Sequence, residues 1–269
     1  MQRGRARTYV RMLIGTLAAL SLAGLAVAGW AMIGPRPSGP IEGLPVWWLE
    51  PGAAEPRSAE AETEAETEAE TDAEASRESP AAIVWLTSDS GWLRLNSSMP
   101  RTLAAEGHPV VIWNSLRYYL SRKEPARAAA DLSAIVAALG ERGHDRVYLV
   151  GYSYGAGVLP FLMNRLPADD RERVIGVGLL AYPGNGEFRF SPVGWFGRVT
   201  SDARPALPEV EQLDVPVLCA AGESDPIRDC RSLAGTGANI SFLPTGHRLG
   251  PVADEVRRLL EDALAADGG

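Results

Sequence analysis

"LVGYSYGAG", Leu149–Gly157, sets one serine between two glycines directly after an apolar run. The pattern is G-x-S-x-G, with Ser153 flanked by Gly151 and Gly155. In a nucleophile elbow such a serine occupies a strained strand-to-helix turn, and glycine is needed where neighbouring backbone passes close. The pentapeptide alone also fits an ordinary Gly/Ser turn, so its flanks decide. "DRVYLV" before the serine reads as a buried strand, and "GAGVLPFLMNRL" after it repeats apolar residues at helical spacing. Strand, elbow, helix is the context the motif requires.

The same rhythm runs through the rest of residues 81–269. "AAIVWL", "PVVIW", "RVYLV", "VIGVGLLAY", "VPVLCAA" and "NISFL" are short apolar runs rich in β-branched residues. Helix-like stretches at 99–106, 124–142, 155–166 and 251–266 separate them. Near-continuous apolar strands interleaved with helices predict a mostly parallel sheet covered on both faces, an α/β class. With 46% hydrophobic residues overall, the chain has material for one sizeable core.

A serine nucleophile needs a base, and the base needs an acid to orient it. The chain has three histidines. His108 precedes a strand and His144 sits in the helix-to-strand turn "ERGHDR", both at the end of the sheet opposite the elbow. His247, in "NISFLPTGHRLG", follows the last strand and precedes the last helix, which puts it at the elbow's end. For the acid, "VPVLCAAGESDP" offers Asp225 three residues past Gly222, with Glu223 as the alternative and Asp229 slightly later. Ser153, Asp225, His247 is the chain order of the α/β-hydrolases. The oxyanion donors expected are the backbone N–H of Tyr154, after the nucleophile, and that of Asp89 in the loop "LTSDSGW". No His/Cys/Asp cluster has ligand spacing, so neither a metal nor an organic cofactor is implied.

Charge and hydropathy divide what precedes residue 81. Four arginines come before Met12–Ile33, 22 residues without a charge. That length spans a bilayer as a helix, with the basic flank left in the cytoplasm. "AVA" at Ala26–Ala28 is also an acceptable signal-cleavage site, so residues 1–33 read as a signal anchor or a signal peptide. Either exports the rest to the periplasm, where Cys219 and Cys230 are expected to form a disulfide. Residues 34–80 read as a linker, rich in Pro and Gly and then acidic ("EAETEAETEAETDAEA"). Its like charges repel at i,i+4 and favour a solvated coil. "PVWWL", Pro45–Leu49, interrupts it, and its paired tryptophans suit a membrane interface or docking on the folded part. Residues 51–80 alone carry −8, the formal charge of the whole chain. The folded part, 81–269, is therefore close to neutral and has no electrostatic footprint for nucleic acid.

"SDSGW", "WNSLRYYLSRKEP", "GYSYGAGVLPFLMNRLP" and "TGH" together resemble the bacterial virulence family called VirJ or AcvB, over nearly all of residues 82–266. The resemblance implies an exported α/β-hydrolase associated with hydrolysis of lysyl-phosphatidylglycerol, with Ser153, Asp225 and His247 as the triad and the cysteines flanking the acid. It implies a lipid or other ester as substrate, the membrane reached through the N-terminal helix, and a secretion machine as a possible partner. Asp89, Trp92, Asn114 and Tyr118 are the substrate-binding candidates in these strings. The chain departs from the family pattern where Ser88 and Ser90 stand for loop glycines, and where Asn114 and Gly157 stand for aspartates. Two carboxylates suited to a lysyl ammonium are thereby missing, which leaves Asp89 for that task.

Overall fold

The computed structural model describes residues 34–38, 41–52, 80–191, 200–227 and 229–266. The expected signal or anchor segment, 1–33, and most of the acidic spacer lie outside the described residues. Among the described residues no helix is long and apolar enough to cross a membrane.

The strands are β1 (Val46–Leu49), β2 (Ala82–Leu86), β3 (Val110–Trp113), β4 (Val147–Tyr152), β5 (Val174–Leu180), β6 (Val217–Gly222) and β7 (Asn239–Leu243). They form one sheet in the order β1-β3-β2-β4-β5-β6-β7, parallel throughout except that β1 runs antiparallel to β3. The main helices are α1 (Leu95–Ala105), α2 (Pro125–Gly140), α3 (Tyr154–Met163) and α4 (Ala253–Ala265). Strand periodicity sends alternate side chains to opposite faces. Val84 and Leu86 pack with α2 and α3, while Ile83 and Trp85 pack with α1 and α4. Helices therefore cover both faces, as the uninterrupted apolar strands predict.

Two boundaries differ from the sequence reading. Helix α1 begins at Leu95 rather than 99. Asn96 and the serines beside it are poor helix formers, but burial of Leu95, Met99 and Leu103 on the sheet outweighs their propensity. The second difference is larger: the sheet reaches into the stretch read as linker, because "PVWWL" supplies the edge strand β1. Trp47 is 4% exposed on the α1 face, and Trp48 packs on the other beneath the Arg142 guanidinium, 4.1 Å from its ring. Burying one tryptophan is worth about 5 kcal/mol at ~25 cal/mol per Å². Ordering four residues costs about 4–8 kcal/mol. Trp48, Val46 and the β1–β3 ladder tip that balance toward order.

Cys219 on β6 is bonded to Cys230, which opens a 3-10 turn, with Cα atoms 5.7 Å apart. The bridge closes a loop of 11 residues that contains Asp225. Loop-closure entropy assigns it about 3 kcal/mol. Urea unfolding of a Cys219→Ala/Cys230→Ala variant is expected to show a loss of that size. A midpoint indistinguishable from wild type would mean that the bridge does not constrain the unfolded chain.

Candidate active site

Ser153 sits between β4 and α3 with φ 51° and ψ −107°, in the left-handed region that a non-glycine residue enters only under constraint. The constraint is visible on both sides. Its N–H donates to the Leu180 carbonyl at 2.7 Å, and its own carbonyl accepts the Gly157 N–H at 3.0 Å. Gly155 is obligatory for sterics: a Cβ there would run into the Leu86 carbonyl oxygen at the end of β2. The motif's glycine thus lets α3 start directly above the sheet, with the serine at its N-terminus.

Three side chains from three strand ends meet at this point. Ser153 Oγ lies 2.8 Å from His247 Nε2. His247 Nδ1 lies 2.8 Å from Asp225 Oδ2. The Asp225 side chain is wholly buried, and its other oxygen accepts the Ile227 N–H at 2.8 Å. With both carboxylate oxygens engaged, the ring is held in one orientation, and an imidazolium formed by proton uptake would face a buried negative charge. Glu223, the alternative acid, is exposed. His108 hydrogen-bonds the Ala81 carbonyl at 2.8 Å, at the opposite end of the sheet.

Tyr154 is the first residue of α3, where backbone N–H groups have no intrahelical acceptor and the helix dipole favours negative charge. The loop carrying Asp89 is braced from below. Asn96, fully buried, accepts the Ser88 N–H at 2.9 Å through its carbonyl oxygen. Its amide donates to Ser88 Oγ at 2.8 Å and Ser90 Oγ at 3.0 Å. Ser88 and Ser90 therefore build a hydrogen-bonded network that fixes the loop. Asp89 itself lies beside the elbow. Burial first, then the nearby Glu187 and Asp89 carboxylates, raises the Tyr154 phenol, and Asp89 acts on Tyr152 in the same direction.

The remaining candidates lie elsewhere along this end of the sheet. Trp92 packs at a tilt against Trp47 of the edge strand, with ring centroids 4.6 Å apart. Asn114 is fully buried and caps the short helix Ser115–Tyr118 by accepting the Arg117 N–H at 2.9 Å. The Tyr118 hydroxyl donates to Asp131 at 2.5 Å. At Gly157 a Cβ would collide with the Asn185 carbonyl oxygen, so no aspartate fits there while the short ladder Asn185–Gly186 with Arg204–Pro205 is in place.

Sequence reasoning missed two contributors. The Tyr152 hydroxyl lies 3.4 Å from both the His247 carbonyl and the Leu249 N–H, tying the histidine's loop to the elbow strand. Tyr152 is an unconstrained position of the motif, so nothing local marked it. Asn96 lies in a helix whose start the sequence obscured. Among the described residues no group of three or more His, Cys, Asp or Glu side chains has the arrangement of a metal site.

Residues 81–266 match a family model described as bacterial virulence protein (VirJ). No curated protein matches the chain. Among solved structures, an α/β hydrolase enzyme from the metagenome of sediments of the Mar Chica lagoon, Morocco, superposes with a TM-score of 0.54 at 16% identity, covering 70% of this chain and 92% of that one. An esterase of Pyrococcus furiosus superposes with a TM-score of 0.51 at 14% identity, covering 70% of this chain and 83% of its own. At such identities the likeness speaks for the fold, which is that of the α/β-hydrolases.

Proposed function

Because the chain belongs to the VirJ family of bacterial virulence proteins, we propose that it is a serine ester hydrolase of the periplasmic side, held at the inner membrane or released after signal cleavage. The single observation that carries this reading is the row Ser153–His247–Asp225, hydrogen-bonded at 2.8 Å at each step beneath a strained elbow. A plain Gly/Ser turn has no reason to hold a buried carboxylate and an imidazole in line with its hydroxyl.

Each side chain then has one task. Ser153 Oγ attacks the ester carbonyl carbon while its proton passes to His247 Nε2. The N–H groups of Tyr154 and Asp89 bind the resulting oxyanion. Collapse breaks the bond to the alcohol oxygen, which leaves with the proton held by His247. Water, deprotonated by the same ring, then attacks the acyl-serine and releases the carboxylic acid. Asp225 stays ionised throughout and stabilises the imidazolium.

The proposed substrate is an aminoacylated phospholipid of the lysyl-phosphatidylglycerol type, which joins an ester to an ammonium group. Supporting it, the Glu187 and Asp89 carboxylates both act on Tyr154, next to the nucleophile. Glu187 thus joins Asp89 as a second carboxylate acting near the nucleophile. The test uses purified protein with vesicles containing the lysyl lipid and reads free lysine. An Asp89→Asn variant is expected to raise KM for that lipid roughly 2–5-fold, the worth of one partly exposed ion pair, while sparing a neutral ester. Equal losses on both esters would assign Asp89 to the oxyanion loop alone. No lysine released by wild type would remove this substrate.

A further inference from the structure

The edge strand decides where the chain enters the domain. Because β1 is antiparallel to β3, Val46 pairs with Trp113 at the carboxyl end of β3, and the Asn114 N–H donates to the Pro45 carbonyl at 3.0 Å. Residues before Val46 therefore arrive at the carboxyl end of the parallel strands, the end that carries Ser153. The uncharged stretch Met12–Ile33 closes four residues before Pro37, a reach of at most about 14 Å.

Pro37, Leu44 and Pro45 line a cavity of about 610 Å³ at this end. Arg117, Tyr118 and Lys123 line the same cavity. Arg127, also in the lining, is spent on Asp131 at 3.0 Å. Among the described residues Arg117 and Lys123 make no ion pair, and the Lys123 ammonium sits 5.0 Å over the Tyr118 ring. Glu42 is the other acid of the lining, which leaves the cavity with an excess of one positive charge. Beside these cations, Leu120 is 56% exposed, where among the described residues the other large exposed aliphatic side chain is Ile227 at 42%.

We infer that this cavity takes the phosphate of an anionic phospholipid, and that the bound headgroup docks the domain on its own membrane with the Ser153 end facing the lipid. The inference rests on the reading of the chain as a membrane-tethered hydrolase. Three features converge on a bilayer surface rather than a soluble anion. Unpaired cations attract headgroup phosphates, an exposed leucine beside them suits the headgroup–acyl boundary, and the tether holds both within reach. The acidic spacer repels an anionic leaflet, so docking depends on this local patch rather than on net charge. Two basic side chains at such a surface strengthen partitioning by roughly 30-fold.

The experiment places the full chain in nanodiscs of phosphatidylcholine, with or without phosphatidylglycerol. It follows amide exchange over residues 116–123 and labels each sample with a serine-reactive probe. Exchange several-fold slower with phosphatidylglycerol is expected, and an Arg117→Glu/Lys123→Glu variant with a wild-type unfolding midpoint should lose the difference. Equal exchange in both discs overturns docking. So does a difference that survives the double variant, or the same protection produced by inorganic phosphate over pure phosphatidylcholine. Labelled but unprotected protein overturns docking and leaves the hydrolase reading in place. Lipid-dependent protection without labelling supports docking and removes the hydrolase reading.

Discussion

Ser153→Ala is expected to lower esterase activity by about 10³–10⁶ while leaving the protein folded, as removal of the nucleophile does in other serine enzymes. The hydroxyl is one hydrogen-bonding group at a helix start, and little of the packing rests on it. The residue is 9% exposed, its N–H keeps the Leu180 carbonyl, and the Gly157 N–H keeps its carbonyl. Alanine tolerates positive φ no better than serine, so the strained turn costs the same in both. What disappears is the bond that forms with the acyl carbon. His247 is left with no proton to take from a nucleophile, and the oxyanion donors alone sustain a residual rate. Activity is to be read on a neutral soluble ester, with the unfolding midpoint as control. A variant retaining a tenth of wild-type activity on every ester tested would place the nucleophile elsewhere.

Asp225→Asn should be the next largest loss, about 10⁴ in kcat, against little change for Glu223→Gln. The amide is nearly the same shape as the carboxylate but presents an N–H where His247 Nδ1 now finds an acceptor. The ring would then hold its proton on the nitrogen facing Ser153, the wrong tautomer for a base. The buried charge that stabilises the imidazolium would vanish as well. Because the Asp225 side chain is wholly enclosed while Glu223 is exposed, solvent cannot substitute for the first and already surrounds the second. Comparable kcat losses from both substitutions would move the acid's role to Glu223 or divide it. Asp225→Glu is a useful third variant, since it restores charge but displaces it by one methylene.

Much of this architecture was legible because it is written in short-range patterns. Near-continuous apolar runs rich in β-branched residues identify β2 to β7, and a serine between glycines at a strand-to-helix junction identifies the elbow. The order of Ser153, Asp225 and His247 follows from knowing which strand ends each one trails. Helix α1 was harder, because Asn96 and its neighbouring serines disfavour helix locally while burial of Leu95 and Met99 favours it from a distance. The strand at Val46–Leu49 was harder still. Composition marks its surroundings as linker, and only its pairing with β3 turns two tryptophans into core.

From the amino-acid order alone came the alternation of strands and helices, the candidate nucleophile, base and acid, and the expectation of an export segment ahead of an acidic stretch. These rest on propensity, hydropathy and chain order, all of which act between residues near in sequence. The sequence put Asp225 ahead of Glu223, and the tertiary structure supplied the physical contrast: the first is buried against the His247 loop and the second is exposed. The tertiary structure alone showed Asn96 bracing the loop of Asp89, Tyr152 holding the histidine's loop, and the Asn185 carbonyl closing Gly157 to a side chain. It alone showed that the chain ahead of Val46 enters at the end of the sheet that carries Ser153, because the direction of an edge strand is set by the partner it finds.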